Sequence, residues 1–139
     1  MDEKFEIKKE DYFKENGGIV IANPNAPTGV AASVSMIEEI IKENQDVVVI
    51  VDEAYVDFGG ESCVPLVEKY DNLLVVQTFS KSRSMAGMRI GFAIGSKKLI
   101  GFLNDAKFSF NSYTMNMTSQ ILGAEAVRDN TYFKACNEK

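Results

Sequence analysis

The sequence predicts an α/β fold, a mixed and mostly parallel sheet with flanking helices, and three observations carry that prediction. "IVIAN" (19–23), "VVVIVDE" (47–53) and "LLVVQTF" (73–79) are short apolar runs, rich in β-branched residues, at near-equal intervals. They lack the alternation of half-exposed strands and read as strands buried on both faces of a parallel sheet. Polar residues gather directly after each run, and open α/β sheets bind ligands at the carboxyl ends of their parallel strands.

Between the first two runs lies "SVSMIEEIIKENQD", in which Met36, Ile37, Ile40 and Ile41 form a stripe at helical spacing, with Ser33 or Ser35 as N-cap. This is a βαβ unit. The link to the third run, "AYVDFGGESCVPLVEKYDN", holds a Gly-Gly turn and then a short helical segment around 65–70. A fourth strand, "RIGFAIG" (89–95), follows the third too closely for a helical crossover, so it pairs antiparallel. "SKKLIGFLNDAKF" sets Leu99, Phe102, Leu103 and Ala106 on one helical face, and "MNMTSQILGAEAVRD" reads as a further helix.

At 139 residues the chain has the length of one domain, and 45% hydrophobic with 25% charged residues is an ordinary globular composition. Fifteen basic residues, dispersed among twenty acidic ones for a net charge of −5, leave no cationic stripe for a nucleic acid. No apolar stretch reaches the length of a membrane span and the charged start is no signal peptide, so the expected location is the cytoplasm. Cys63 and Cys136 are far apart and outside any CxxC spacing, which gives no support to a disulfide framework or a metal site. The complete lack of histidine removes imidazole triads and the common zinc sites, so proton transfer falls to Lys, Tyr, Asp or Glu.

Three polar clusters carry the chemistry. Asp52 ends an apolar run, where a carboxylate needs a cation or strong donors; it reads either as a helix cap or structural ion pair, or as a ligand for a buried positive group. Tyr55 follows one helical turn later. Lys81 alone would be a solvated charge, but it stands among the hydroxyls of Thr78, Ser80, Ser82 and Ser84, with Arg89 beyond. Hydroxyls with a guanidinium suit an anionic phosphate, and a lysine beside a phosphate site and opposite a carboxylate suits a phosphorylated, carbonyl-bearing cofactor. Pyridoxal 5′-phosphate meets that description: an aldehyde for the lysine, a phosphate, and a ring nitrogen that a carboxylate keeps protonated.

"NPNAPTG", "DEAY" and "SKSRSMAGMRIG", in that order and spacing, resemble the class I/II, fold-type I aminotransferases, and within them the histidinol-phosphate aminotransferases. The resemblance runs from about Phe5 to the end. It implies that Lys81 carries the cofactor as a Schiff base and shuttles a proton, that Asp52 pairs with the pyridinium nitrogen, and that Tyr55 donates to the ring's 3′ oxygen. Thr78, Ser80 and Arg89 would hold the phosphate. One position departs from the commonest family form: the residue before "PTG" is Ala26 where asparagine is usual, and Asn25, one place earlier, is the remaining amide candidate.

Family members are much longer, so the resemblance further implies that residues 1–139 are the central segment of the large cofactor-binding domain. The N-terminal segment and the C-terminal small domain would then be absent. The expected activity of the whole protein is amino transfer between an amino acid and a 2-oxo acid, histidinol phosphate with 2-oxoglutarate in histidine biosynthesis, by a homodimer. The segment alone is expected to be inactive and to expose apolar surface. A decarboxylase or C–S lyase of the same fold would keep the same Lys, Asp, Tyr and Arg, because the cofactor does the hard step in each. A noncatalytic interaction domain is the alternative outside enzymes, and nucleotide binding lacks both GxGxxG and GxxxxGK[ST].

Overall fold

The computed structural model describes residues 5–138. Four strands form one sheet in the order β1 (Ile19–Ala22), β2 (Val49–Asp52), β3 (Leu73–Thr78), β4 (Gly91–Gly95). The first three are parallel, with Ala22 level with Asp52 and Asp52 level with Val76; β4 runs antiparallel to β3 and pairs Gly91 with Thr78. The expected mixed sheet and its antiparallel fourth strand are therefore both present.

Helix α1 (Val34–Glu43) is the crossover from β1 to β2. Of the two serines offered as its cap, Ser33 serves: its Oγ accepts the Met36 amide at 3.3 Å. Ile37, Ile40 and Ile41 of this helix are fully buried against Ile19, Ile21, Val49, Val51, Leu73 and Val75. All the strand residues in that set are odd-numbered, so they share one face of the pleat. A short 3-10 segment, Val64–Glu68, adds Leu66 to the same core.

The opposite face departs from expectation. The unbroken apolar runs imply burial on both faces, yet on the face away from α1 Val20 is 69% exposed, while Leu74 on that face is buried. The runs report strands whose second face is apolar; the described residues cover that face at Leu74 and leave it open at Val20. The stripe predicted on α2 (Lys97–Phe110) behaves alike, because Phe102 and Leu103 stay exposed and the helix buries no residue. Helix α3 (Met117–Arg128) does pack, through its small residues: Ser119 and Gly123 are buried, and the Ser119 hydroxyl donates to the Met88 carbonyl at 2.9 Å. A Cβ at Gly123 would lie 2.8 Å from Ile90 Cδ1. Helix α4 (Asn130–Asn137) follows, capped by Asp129. No helix among the described residues is long and apolar enough to cross a membrane.

Cys63 is fully buried in the main core, and burial, reinforced by the charges of Glu53 and Glu61, pushes its thiol from 9.0 up to about 12. An exposed cysteine in the unfolded chain gives up its proton near 9 while the folded one keeps it. Stability is thus flat below that pH and falls by about 1.4 kcal/mol per pH unit between 9 and 12 as hydroxide draws protons from the unfolded state. Cys63 is expected to resist a thiol reagent at about pH 8 until denaturant is added, and Cys63→Ser should flatten the alkaline limb of the stability curve. Rapid labelling of Cys63 in the native chain would contradict this.

Candidate functional site

The parallel register brings the ends of β1, β2 and β3 level, so the segments that follow them meet at one edge of the sheet. Backbone bonds hold them there: the Asn23 amide donates to the Asp52 carbonyl at 2.8 Å and the Glu53 amide to the Val76 carbonyl at 2.9 Å.

After β1 the chain makes a closed loop. Asn23, 1% exposed, spans its base: Nδ2 donates to the Ala32 carbonyl at 3.1 Å and Oδ1 accepts the Ala32 amide at 2.8 Å. Within the loop, Asn25 Nδ2 donates to Thr28 Oγ1 at 2.7 Å, so this amide is engaged in the turn. Ala26 and Pro27 are exposed. Pro24, Asn25 and Pro27, with Tyr55 and Phe58 across from them, line a cleft of about 410 Å³.

After β2, the period-two pleat sorts two adjacent carboxylates. Glu53 continues the buried face of Val49 and Val51 and is 1% exposed, whereas Asp52 on the other face is half-buried. Burial was expected of the run's terminal carboxylate at Asp52; it falls on its neighbour. Three donors satisfy Glu53: Ser62 Oγ at 2.7 Å, the Cys63 amide at 2.5 Å and Gln77 Nε2 at 2.8 Å. Asp52 Oδ1 accepts the Ala54 amide at 3.0 Å, and among the described residues no donor takes Oδ2. Tyr55 caps the 3-10 turn Val56–Phe58, and its ring lies 6.2 Å from that of Phe58. The turn ends in Gly59–Gly60: Gly59 has φ +101° with open space where a Cβ would sit, while a Cβ on Gly60 would lie 2.9 Å from the Pro24 ring.

After β3, the Thr78 hydroxyl lies 3.0 Å from Ser80 Oγ and accepts the Ser80 amide at 3.1 Å. Lys81, exposed, places Nζ 4.9 Å from the centroid of the Tyr55 ring, so the structure unites two residues far apart in sequence. Among the described residues no carboxylate forms an ion pair with Lys81. Arg89 precedes the strand instead of opening it. It adopts φ 56° and donates to the Ala86 carbonyl at 3.0 Å, while the next residue, Ile90, accepts the Phe79 amide at 3.1 Å.

Of the four hydroxyls expected around Lys81, that of Ser82 is used otherwise, and Ser84 has a backbone role. Ser82 is 3% exposed and donates to Asp57 Oδ2, and Ser84 turns the chain back with its amide on the Lys81 carbonyl at 2.9 Å. Arg83, unremarked in the sequence, lies between the Phe79 and Phe133 rings, 5.4 and 4.4 Å from their centroids, and donates to the Ala126 carbonyl at 2.7 Å. Nothing in the local sequence distinguishes it from Arg89; only the docking of α3 and α4 does.

Residues 3–138 match the sequence profile of the family described as aminotransferase class I and II. The chain belongs to this family. Its similarity to the histidinol-phosphate aminotransferase of Lactococcus lactis subsp. cremoris is 59% identity over 134 residues, covering 96% of this chain and 38% of that protein. The chain thus spans well under half the length of the aminotransferase it matches. The crystal structure of the histidinol-phosphate aminotransferase from Clostridium acetobutylicum superposes with a TM-score of 0.87 at 24% identity, over 98% of this chain and 42% of that one. The enzyme of the same name from Sinorhizobium meliloti, solved in complex with pyridoxal 5′-phosphate, gives 0.77 at 21% identity, over 88% and 34%. Both likenesses show a shared fold.

Proposed function

We propose that these residues form the cofactor-binding part of a pyridoxal 5′-phosphate-dependent transaminase. It would move an amino group between an amino acid and a 2-oxo acid, with histidinol phosphate and 2-oxoglutarate as the pair, in histidine biosynthesis. The observation that carries the reading is the meeting of Lys81, Tyr55 and Asp52 at the carboxyl edge of the sheet, with the lysine amine over the tyrosine ring. The choice of substrates rests on the 59% identity to a histidinol-phosphate aminotransferase.

The residues present fit the cofactor. Asp52 offers the oxygen that no described donor takes to a protonated ring nitrogen. Tyr55 supplies a phenolic donor, and Asn25, with one of its two amide hydrogens on Thr28, is the second candidate for that role. Thr78 and Ser80 present paired hydroxyls to a phosphate, and Arg89 completes that set by giving up its bond to the Ala86 carbonyl. When bound, the cofactor supplies an aldehyde that captures an amine and a ring that withdraws electrons from the substrate carbon. Lys81 Nζ would hold that aldehyde and would serve as the base that takes up and returns the substrate proton.

Transamination needs substrate contacts beyond these residues, so the segment is proposed to bind cofactor without turning over. We place the whole protein in the cytoplasm, which suits its two free thiols, and as a homodimer, which suits exposed apolar residues such as Phe102 and Ile121. The test is incubation with pyridoxal 5′-phosphate, borohydride reduction and peptide mapping. The reading expects a visible absorption band and a label concentrated on Lys81; a label spread evenly over the surface lysines would refute it.

A further inference from the structure

Lys81 has an exposed side chain on a backbone that is tied down on both sides. Before it, Ser80 is held by its amide and hydroxyl to Thr78 at the end of β3. After it, Ser82 is 3% exposed and its hydroxyl reaches the Asp57 carboxylate, on the segment that follows β2. Asp57 lies in the 3-10 turn Val56–Phe58 that Tyr55 caps. One turn therefore carries both the ring beneath the lysine amine and the carboxylate that grips the lysine's neighbour.

A buried hydroxyl donating to a carboxylate is a charge-assisted bond, short and directional, and it fixes a backbone position more firmly than a neutral pair does. The turn holding Asp57 is anchored in its own right by the Gly60 amide on the Val56 carbonyl at 2.9 Å and the Phe58 amide on the Tyr55 carbonyl at 3.1 Å. Arg83 then closes the far side of the loop against Phe133 and the Ala126 carbonyl. Of these ties only the Asp57–Ser82 bond joins the lysine loop to the tyrosine turn.

We propose that Asp57 is a positioning residue for Lys81: by accepting the Ser82 hydroxyl it sets the lysine amine in register with the Tyr55 ring. Asp57 need not touch the cofactor and acts through Ser82. The inference rests on the reading of Lys81 and Tyr55 as cofactor-site residues, and its test has one readout that needs no cofactor.

That readout is the ring-current shift of the Lys81 ε-methylene protons by NMR, with Tyr55→Leu defining its zero. Asp57→Ala and Ser82→Ala are each expected to abolish most of the shift and to slow borohydride-trapped labelling of Lys81 by pyridoxal 5′-phosphate roughly tenfold. The double variant should be no worse than either single one, because both remove the same bond. Asp57→Asn, which keeps an acceptor oxygen, should restore much of the shift. Amide shifts in β2 and β3 serve as the control that the sheet is intact. A Lys81 shift unchanged in Asp57→Ala with an intact sheet overturns the proposal, and so does simple additivity of the two alanine variants. If the wild-type chain shows the shift but takes no label, the cofactor reading fails, and the shift in the variants alone decides the role of Asp57.

Discussion

Replacing Lys81 with alanine is expected to remove the visible band acquired with pyridoxal 5′-phosphate and to reduce borohydride labelling to that of an ordinary surface lysine. The physical reason is that capture of an aldehyde needs a nucleophilic nitrogen at one place, and among the described residues it is Lys81 that sets an amine 4.9 Å from the centroid of the Tyr55 ring. Lys81→Arg sharpens the test. It keeps a cation over that ring but has no amine able to capture the aldehyde, so it should behave like the alanine variant in labelling while retaining the cation–π contact. A band that survives either substitution would move the attachment point elsewhere and take the proposed site with it.

The second large effect concerns stability. Glu53→Ala is expected to destabilise the chain by about 3 kcal/mol or more, because it strands the Ser62 hydroxyl, the Cys63 amide and the Gln77 amide group around a hole. Glu53→Gln keeps the shape and one acceptor oxygen but turns an NH₂ group toward donors, and should lose about half as much. Urea unfolding with an unchanged slope measures both. A Glu53→Ala midpoint within about 0.5 kcal/mol of wild type would mean that the three donors find other partners, contrary to their burial.

The sheet was legible because β-branched runs, a helical isoleucine stripe and a turn too short for a crossover are local signals that tertiary packing reinforces. The gathering of Asp52, Tyr55, Thr78, Ser80 and Lys81 at one edge followed from the order of strands and polar clusters, since strand topology fixes which ends meet. What stayed hidden depends on partners remote in sequence. Which of Asp52 and Glu53 is buried depends on which face α1 covers, and "VDEAY" does not carry that information. Ser82 and Ser84 look alike beside Lys81, yet one is gripped by Asp57 from the 3-10 turn that follows β2. Arg83 and Arg89 are equivalent as letters, and the docking of α4 makes the first a structural clamp. The stripe on α2 marks an apolar face correctly but could not say whether the described residues cover it.

The paired glycines after Tyr55 sit side by side under opposite physical constraints. At position 59 the backbone angle is the constraint and the space is empty, so asparagine and aspartate are the admissible replacements. At position 60 the backbone is ordinary and the space is the constraint, because even alanine would press against Pro24 and wedge the asparagine-bearing loop away from the tyrosine turn. The approach of the tyrosine turn to Pro24 therefore depends on a missing Cβ, and residue 60 has no room for the side chains that residue 59 accepts.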